Sequence, residues 1–527
     1  MKLNWSKEKT EKCFILFGKV MLVAIILLNA WMTHKYYFNF INSDDASELV
    51  YARLLAREGK IISSTWKGST EIEILNNQLV YSLLFHFTSN FQVVRIVGQM
   101  ILSGIFLGCY YFCLRGIDSE KASARFWKSA FLLLIPVSRA WLFLAMKAYY
   151  IPAVSVCFVT LGLALRICKK EKSVKSKGML VIAGSVLAFV SSLEGLRHLE
   201  LTYAPLLVAF FWIWWNQQER KKWNHLLDIP MGALSALIWS VVAFGGYLVN
   251  ILILSKTYIY DTDRAMKFPE VFTAENFQNI FNAILTVTGY AGEKDLVSLG
   301  GICNALSIVL VGTIIYVLIR LSVKMKNLEQ EEQLLPAFVI ATFSVSLFLF
   351  IAIDMVEARW IMCSTVPVFL LLALLDKFPI KKQYICLTCI YIVIGMLGMR
   401  EYHTIASSTT NEGLRSVYDL LMDSDYTFGY STFKSGNLMT ELTNGKMDMR
   451  IVQAYGPNHK LKNRNWLTPV TFEYHEGEFP LILEKERTEG LFDPQEDWKL
   501  ILDTEEYWVY EIPDQKVFQK YLDKVEL

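Results

Sequence analysis

The chain has 527 residues, of which 54% are hydrophobic and 19% are charged, and its mean hydropathy is +0.33. Soluble globular proteins are about 45–50% apolar, so the excess of apolar residues predicts burial in lipid rather than in a water-soluble core. The formal net charge of +2 at pH 7 provides no electrostatic attraction for nucleic acid. We therefore expect a membrane protein without a nucleic-acid partner.

Apolar stretches of membrane-spanning length recur along the chain, and the criterion of roughly 20 apolar residues predicts about eleven transmembrane helices. Their approximate ranges are 14–32, 92–114, 128–145, 149–167, 179–194, 200–215, 230–254, 300–321, 335–353, 359–376 and 383–399. No small-residue cleavage site follows the first stretch, which we interpret as a retained helix. Arg139 and Lys147 interrupt the third and fourth stretches, and Pro136 and Pro152 are placed to bend them.

The distribution of Lys and Arg predicts the orientation in the membrane. If the N-terminus is cytoplasmic, the loops after every second helix carry most of the positive charge, as the positive-inside rule requires. An odd number of helices then places the C-terminal region outside the cell. We predict a multi-pass transmembrane domain in residues 1–399, with extracytoplasmic loops at 33–91 and 255–299, and a soluble extracytoplasmic domain in residues 400–527.

The C-terminal region, residues 400–527, is too rich in polar and charged residues to enter lipid. It alternates helical and strand patterns, which predicts a small α/β domain. The helical patterns are 414–421 and 516–522, and the strand patterns are 449–452, 479–483 and 507–512. The aromatic-rich stretch 426–433 has two interpretations, a packed core strand or the wall of a sugar groove, and the core strand is favoured.

Three carboxylates, Asp44, Asp45 and Glu48, directly follow the first predicted membrane helix. They open a stretch of helical spacing that begins with Ser43 as a plausible N-cap and ends at Gly59. The pattern predicts a short amphipathic helix along the membrane surface. Acidic groups at the edge of a membrane are costly to desolvate, so a cluster of them indicates a site.

These carboxylates suit transfer of a sugar, because an acceptor hydroxyl or amide needs a general base. A carboxylate of this cluster can supply that base, and the other two would orient the acceptor. The alternative is helix capping, since acidic groups stabilise a helix N-terminus by about 0.3–1 kcal/mol each. One carboxylate would satisfy a cap, and three exceed that need, so the catalytic interpretation is favoured.

At these residues the chain resembles the C-fold (GT-C) integral membrane glycosyltransferases, a group that includes the protein O-mannosyltransferases and the lipid A aminoarabinose transferases. That group carries an acidic pair after the first helix, then a surface helix and a glycine. Asp44-Asp45 resembles the pair, although the second residue is usually Glu, and Gly59 resembles the glycine. The resemblance implies a donor sugar on a polyprenyl phosphate or diphosphate, and it implies that Asp44 is the catalytic base.

Such a donor needs cations around its phosphate. Four residues near predicted outer membrane edges are candidates for binding the donor phosphate: Arg139, Lys147, Arg197 and Arg359. For each of them the alternative is a side chain that extends toward the membrane surface or a local ion pair.

The polar segment 66–78 precedes an apolar run and contains candidates for binding the sugar or the acceptor. Trp66 suits stacking on a sugar ring, while Glu71 and Asn76 suit hydrogen bonding to its hydroxyls. The alternative is an ordered loop whose polar groups bond one another.

No sequence motif fixes a cofactor, and no cofactor is certain. The nine Cys residues lie in or beside apolar segments without zinc-ligand spacing. The sequence Asp261-Thr262-Asp263 resembles a metal–nucleotide motif of soluble glycosyltransferases, but no Rossmann pattern surrounds it, and we discount it. A divalent cation is compatible with the resemblance, so metal dependence stays open.

The sequence therefore predicts an enzyme, a glycosyltransferase with carboxylate-base chemistry and inversion at the sugar. Its partners would be a polyprenyl-linked sugar donor, membrane lipid, and an extracytoplasmic glycan, lipid or protein acceptor. Two alternatives remain. A transporter or flippase would show charges in mid-helix and paired inverted repeats. A non-catalytic scaffold of cell-envelope polysaccharide assembly would tolerate changes at Asp44.

Overall fold

The structure is a computed structural model that describes residues 7–169, 173–218, 229–258, 260, 273–325, 328–352, 357–377, 381–407, 411, 413–455, 460–464, 466–470 and 474–522. The chain divides into two compact units. The first, the helical unit, comprises residues 1–30, 99–253 and 263–402. The second, the mixed unit, comprises residues 31–98, 254–262 and 403–527.

The helices up to residue 407 supply most of the chain. They are α1 (Lys7–Lys35), α2 (Tyr37–Phe40), α3 (Ser43–Glu58), α4 (Gln78–Phe85), α5 (Phe91–Ile117), α6 (Ala122–Ser129), α7 (Arg139–Ala145), α8 (Ile151–Cys168), α9 (Val174–Ser192), α10 (Ala204–Gln218), α11 (Met231–Leu252), α12 (Ala274–Val287), α13 (Leu299–Lys324), α14 (Gln330–Ala352), α15 (Ala358–Thr365) and α16 (Lys381–Ser407). Shorter 3-10 helices cover Ala130–Leu134, Leu254–Lys256 and Val366–Lys377, and a π-helix covers Leu199–Tyr203.

Among the described residues, seven helices are long and apolar enough to cross a membrane: Glu11–Lys35, Phe91–Ile117, Ile151–Cys168, Val174–Ser192, Met231–Lys256, Leu299–Lys324 and Glu331–Ala352. Three further helices are apolar but shorter: Leu199–Trp215, Ala358–Leu374 and Cys386–Arg400. Large side chains such as Val241 and Phe244 are more than half exposed on α11, as lipid-facing residues would be. The protein is a polytopic α-helical membrane protein.

The predicted third span differs from the structure. Residues 128–145 do not form one helix, because α6 ends at Ser129, a 3-10 turn covers Ala130–Leu134, and α7 begins at Arg139. Pro136 lies in the gap, where its ring and missing N–H prevent a continuous helix. This segment is nonetheless buried, from Ala130 through Val137.

Small residues let α9 and α11 approach closely. A Cβ at Gly184 would lie 2.2 Å from the Trp239 ring, and a Cβ at Gly246 would lie 2.5 Å from the Phe189 carbonyl oxygen. In lipid there is little hydrophobic drive between helices, so close backbone packing of this kind supplies the attraction.

The C-terminal part of the mixed unit is an α/β domain. Its strands and helices are α17 (Gly413–Asp423), β2 (Phe428–Thr432), α18 (Gly436–Leu442), β3 (Asp448–Tyr455), β4 (Lys460–Asn463), β5 (Thr468–Pro469), β6 (Phe479–Glu484), α19 (Lys485–Thr488), β7 (Lys499–Asp503), β8 (Tyr507–Ile512) and α20 (Gln515–Leu522), and β1 is Trp66–Lys67. Six strands form one sheet in the order β4-β3-β2-β6-β8-β7. β2 is parallel to β3 and β6, and the remaining pairs are antiparallel.

The core of this sheet is aromatic. All five residues of β2 are buried, which confirms a core strand within the aromatic stretch 426–433. Tyr430 and Phe479 pack against Phe518 of α20, with ring centroids 4.7 Å and 5.7 Å from that ring. Burial of such rings supplies about 1.5–3 kcal/mol each, and here it joins the sheet to the last helix.

A two-stranded antiparallel ribbon connects the first loop, the segment between α3 and α4, to this domain. Trp66 of β1 pairs with Pro469 of β5, and Lys67 pairs with Thr468. A small core of Tyr51, Leu55, Trp66 and Leu467 lies beside the ribbon. Residues near 50–67 and the C-terminal domain therefore fold as parts of one unit.

Candidate active site

The first turn of α3 is built by a capping box. The Asn42 side chain accepts a hydrogen bond from the Asp45 backbone N–H at 2.9 Å, and the Asp45 carboxylate accepts one from the Asn42 N–H at 3.2 Å. The N-cap is thus Asn42 and not Ser43, because Asn42 has the extended backbone and the reciprocal bonds that define a cap. At the other end Gly59 has φ +63°, a left-handed C-cap, as predicted.

The three carboxylates of α3 occupy three different environments. Asp45 is 4% exposed and is committed to the cap, so the capping interpretation applies to this residue. Glu48 is 6% exposed, whereas Asp44 is exposed. Of the predicted trio, Asp44 is the carboxylate that solvent reaches.

Glu48 lies in a buried polar cluster. Its Oε2 accepts a hydrogen bond from the Asn77 side-chain amide at 2.7 Å. Burial raises the pKa of Glu48 well above its ordinary value, and the charges of Asp45 and Glu73 raise it further, while Arg95 and Asn77 oppose the rise. Desolvation of a charged carboxylate is the dominant cause.

The exposed Asp44 interacts electrostatically with Arg464 of the C-terminal domain. Its charge acts on Arg464, whose guanidinium stacks 4.9 Å from the Phe433 ring. Burial is the main cause that lowers the pKa of Arg464, and the positive charge of Arg487 lowers it further, while the charge of Asp44 raises it. The hydroxyl of Ser43 donates to the Phe433 carbonyl, which fixes the start of α3 against the same stretch of chain.

A buried ion pair lies behind this turn. Arg95 donates through Nε and Nη2 to the two carboxylate oxygens of Glu441, at 2.8 Å and 2.7 Å, and its Nη2 also donates to the Asp45 carbonyl at 2.8 Å. The Tyr37 hydroxyl donates to Glu441 at 2.7 Å. Arg95 is 1% exposed and Glu441 is 1% exposed, so the pair is enclosed.

The predicted sugar-binding residues of the first loop have mixed environments. Trp66 is 4% exposed and stacks on Tyr51 with ring centroids 5.0 Å apart, so one face of the indole is already occupied. Glu71 and Asn76 are half-buried. The side chain of Asn76 accepts from the Asn77 N–H at 2.8 Å, which is a bond internal to the loop. Their roles in binding stay predictions.

In the helical unit, three of the four predicted phosphate-binding cations gather on one aromatic segment, residues 143–150. Lys147 lies 4.8 Å and Arg359 lies 5.1 Å from the centre of the Phe143 ring. Arg197 lies 5.7 Å from the Tyr149 ring. The fourth cation, Arg139, is exposed at the start of α7, and no contact with this cluster is found in the described part of the chain.

Two features mark the cation cluster as constrained. Ala148, between Lys147 and Tyr149, has φ +58°, a left-handed conformation that costs roughly 1–2 kcal/mol for a residue with a Cβ. Arg359 is paired with Glu357, with Nη2 3.0 Å from Oε1, so one carboxylate offsets part of the positive charge. Backbone strain of this kind tends to be kept at functional sites.

Sequence reasoning missed several residues of this site. Arg95 carried a signal, because it lies within an otherwise apolar span. Asn77 is adjacent to the predicted binding residue Asn76 in the same polar segment. Glu441 and Arg464 carried no signal, since only the fold brings the C-terminal domain beside residues 42–48.

The structure offers no ready metal site in the residues it describes, where no group of three or more His, Cys, Asp and Glu side chains could hold an ion. The motif Asp261-Thr262-Asp263 lies outside the described residues.

No protein-family model matches the chain, and no curated protein matches its sequence. Solved structures do resemble it. ArnT from Cupriavidus metallidurans bound to undecaprenyl phosphate shares 11% sequence identity, covers 93% of this chain and 97% of its own, and superposes with a TM-score of 0.51. The same protein in the apo state gives 0.52 at the same identity and coverage. A weaker likeness, at a TM-score of 0.43, is to the archaeal oligosaccharyltransferase AglB from Archaeoglobus fulgidus.

At this low identity the similarity concerns the fold, and it extends over nearly the whole of both chains. The protein has the fold of the GT-C membrane glycosyltransferases: a polytopic helical part followed by a C-terminal domain that contains strands. The fold resemblance predicted from Asp44-Asp45, the surface helix and Gly59 is confirmed.

Proposed function

We propose that this protein is a glycosyltransferase that moves a sugar from a polyprenyl phosphate or diphosphate to an acceptor outside the cell. The observation that carries the proposal is the convergence of Lys147, Arg197 and Arg359 on the aromatic segment 143–150. Three cations at the ends of apolar segments suit the phosphate of a lipid carrier, which remains charged at neutral pH. The likeness in fold to a protein bound to undecaprenyl phosphate supports this interpretation.

The reaction would be a single displacement at the anomeric carbon. The acceptor oxygen or nitrogen attacks that carbon as the bond from carbon to phosphate oxygen breaks, and the configuration inverts. The acceptor proton passes to the Asp44 carboxylate, and the electron pair of the broken bond leaves with the polyprenyl phosphate. A correctly placed general base contributes about 10²- to 10⁴-fold to such a step.

The three carboxylates of α3 would then have separate tasks. Asp44, the exposed one, is the base. Asp45 holds the first turn through its capping bonds. Glu48, whose burial raises its pKa and whose carboxylate is bonded to Asn77, is proposed to hold its proton more readily than an ordinary carboxylic acid and to orient neighbouring polar groups.

The cations would stabilise the phosphate as negative charge develops on it. Lys147, Arg197 and Arg359 each have an aromatic ring beneath or beside the charged group, and this contact orients the long side chain. We propose an extracytoplasmic location for the site and a glycan, lipid or protein as the acceptor.

The test uses cells in which the gene is deleted and then restored as wild type, D44N or D419N. Asp419 is an exposed aspartate of α17 in the same unit and serves as the matched control. Mass spectrometry of surface glycans and polyprenyl-linked sugars should show one glycan lost and its lipid donor accumulated with D44N, as in the deletion, while D419N restores both. Restoration by D44N would refute Asp44 as the base.

A further inference from the structure

The ion pair of Arg95 and Glu441 connects two distant parts of the sequence. Arg95 is near the start of α5, and Glu441 is in α18 of the C-terminal domain. Both of their side chains are almost fully enclosed, at 1% and 0% exposed. A buried pair of this kind gains little net stability over apolar residues, so stability alone does not account for it.

The same guanidinium reaches the helix that carries the acidic cluster. The Nη2 of Arg95 donates to the Asp45 carbonyl at 2.8 Å, on the residue that directly follows Asp44. Glu441 is held in turn by the Tyr37 hydroxyl, so the carboxylate has partners on both sides. The chain of contacts runs from the C-terminal domain through Arg95 to the first turn of α3.

We propose that Arg95 and Glu441 are positioning residues, through which the C-terminal domain fixes the first turn of α3 and sets the charge that its carboxylates experience. The catalytic relevance of this role rests on the proposed function, whereas the electrostatic role can be measured without it. The C-terminal domain is then a working part of the acidic site and more than a docking module.

Glu48 is the natural reporter of that charge. The charged and titratable groups that act on it or lie in the same cluster are Asp45 of α3, Glu73 of the first loop, Tyr81 of α4, Arg95 of α5 and Glu441 of α18. In the wild type the positive charge of Arg95 and the negative charge of Glu441 offset each other. Removing either one leaves a single uncompensated charge beside the cluster.

The two single variants therefore have opposite expected effects. In E441Q the uncompensated Arg95 favours ionised carboxylate, so the pKa of Glu48 falls. In R95Q the uncompensated Glu441 favours the protonated form, so the pKa rises. One unit charge roughly 10 Å away, at an effective dielectric constant of about 20, corresponds to about one pH unit in each direction. The double variant R95Q/E441Q should lie between the two singles.

The experiment is infrared spectroscopy of the purified full-length protein in lipid nanodiscs. The carboxylic C=O band of Glu48, assigned by its disappearance in E48Q, is titrated between about pH 4 and pH 9. The matched control is E511Q, which removes another hydrogen-bonded carboxylate of the same domain, one whose partners Tyr426 and Lys499 do not include α3. The titration midpoint of Glu48 in E511Q should equal that in the wild type.

Opposite shifts in E441Q and R95Q, with the double variant between them, would support the proposal. Shifts of the same sign, or no shift in either, would overturn it, because a purely structural pair has no reason to act with the sign of the missing charge. If one single variant does not fold, the other single variant and the double variant still determine the sign.

Sugar transfer by the same variants separates this proposal from the proposed function. The acid limb of the pH–rate profile should move down in E441Q and up in R95Q, following the charge. Opposite infrared shifts in a protein that transfers no sugar would refute the transferase and leave the electrostatic role standing. Active transfer with unshifted bands would refute the positioning role alone.

Discussion

The Glu48 carboxylate accepts a hydrogen bond from the Asn77 side-chain amide at 2.7 Å, and both side chains are buried. This contact joins α3 to the start of α4 and places an acid in a cluster that already contains Asp45, Glu73 and Arg95. Protonation of Glu48 is the least costly way to bury one more carboxyl group there, because an additional charge would be both desolvated and repelled.

Glu48 should make stability fall as pH rises. Its pKa is raised on folding, so below the ordinary value near 4.5 both folded and unfolded chains carry the proton and no penalty exists. Above that value the unfolded chain ionises while the folded one keeps its proton, which favours unfolding until the folded pKa is passed. We expect E48Q to raise the melting temperature at pH 8 and to have little effect near pH 4.

Thermal unfolding of purified wild type and E48Q across that pH range measures this effect. E486Q is the control, because Glu486 is an exposed carboxylate of α19. A stabilisation by E48Q that is the same at every pH would show that the ionisation of Glu48 is not its source.

The Arg95–Glu441 pair should show strong energetic coupling. Replacing either partner by Gln leaves the other charge buried without compensation, at a cost of about 3–5 kcal/mol. The double variant removes both charges and should lose clearly less than the sum of the two. Denaturant unfolding of the four proteins gives the coupling energy, and additive losses would contradict a direct buried pair.

The cation cluster should control affinity for the lipid donor. Each of K147Q, R197Q and R359Q removes a charge-assisted contact worth about 1.5–3 kcal/mol, so the Kd for polyprenyl phosphate should rise about 10- to 100-fold. Binding is measured on protein in nanodiscs with polyprenyl phosphate as the probe.

The matched control for that measurement is R320Q. Arg320 lies 5.9 Å from the Tyr316 ring on α13, so it has the same type of cation–aromatic contact outside the cluster. Affinity should be unchanged in this variant. Equal loss in R320Q and R197Q would indicate a general dependence on surface charge.

The left-handed backbone at Ala148 should limit which side chains position 148 of the aromatic segment tolerates. Its φ of +58° suits Gly and excludes branched side chains, and the residue is fully buried. We expect A148V to lower stability by about 1–3 kcal/mol and A148G to be tolerated. Melting temperatures of the two variants test this, and tolerance of A148V would mean that the left-handed backbone is not required.

Much of the fold could be read from the sequence, since apolar length and the period of side chains are local signals. The pattern of segment 507–512, for example, predicts a strand, and this segment is β8 in the structure. The span at 128–145 could not be predicted reliably, because the apolar composition is that of a helix while Pro136 breaks it. The apolar composition of this segment predicts that it is buried, but it does not predict the conformation of its backbone.

Only part of the candidate site could be predicted from the sequence. The sequence singled out Asp44, Asp45 and Glu48 as one group, but their separation into exposed, capping and buried carboxylates depends on Asn42, Asn77 and the surrounding packing. From the sequence alone, Glu441 would be expected at the surface, as most glutamates are. Its burial against Arg95 depends on contacts between residues far apart in the chain.

The most direct test of the central claim is transfer by the purified protein in liposomes, with the lipid-linked sugar that accumulates in deletion cells as donor. Release of polyprenyl phosphate is measured for wild type, D44N and the control D419N. The account predicts a loss of at least about 100-fold in D44N, with normal donor binding, and wild-type release in D419N. Release by D44N at the wild-type rate would contradict it.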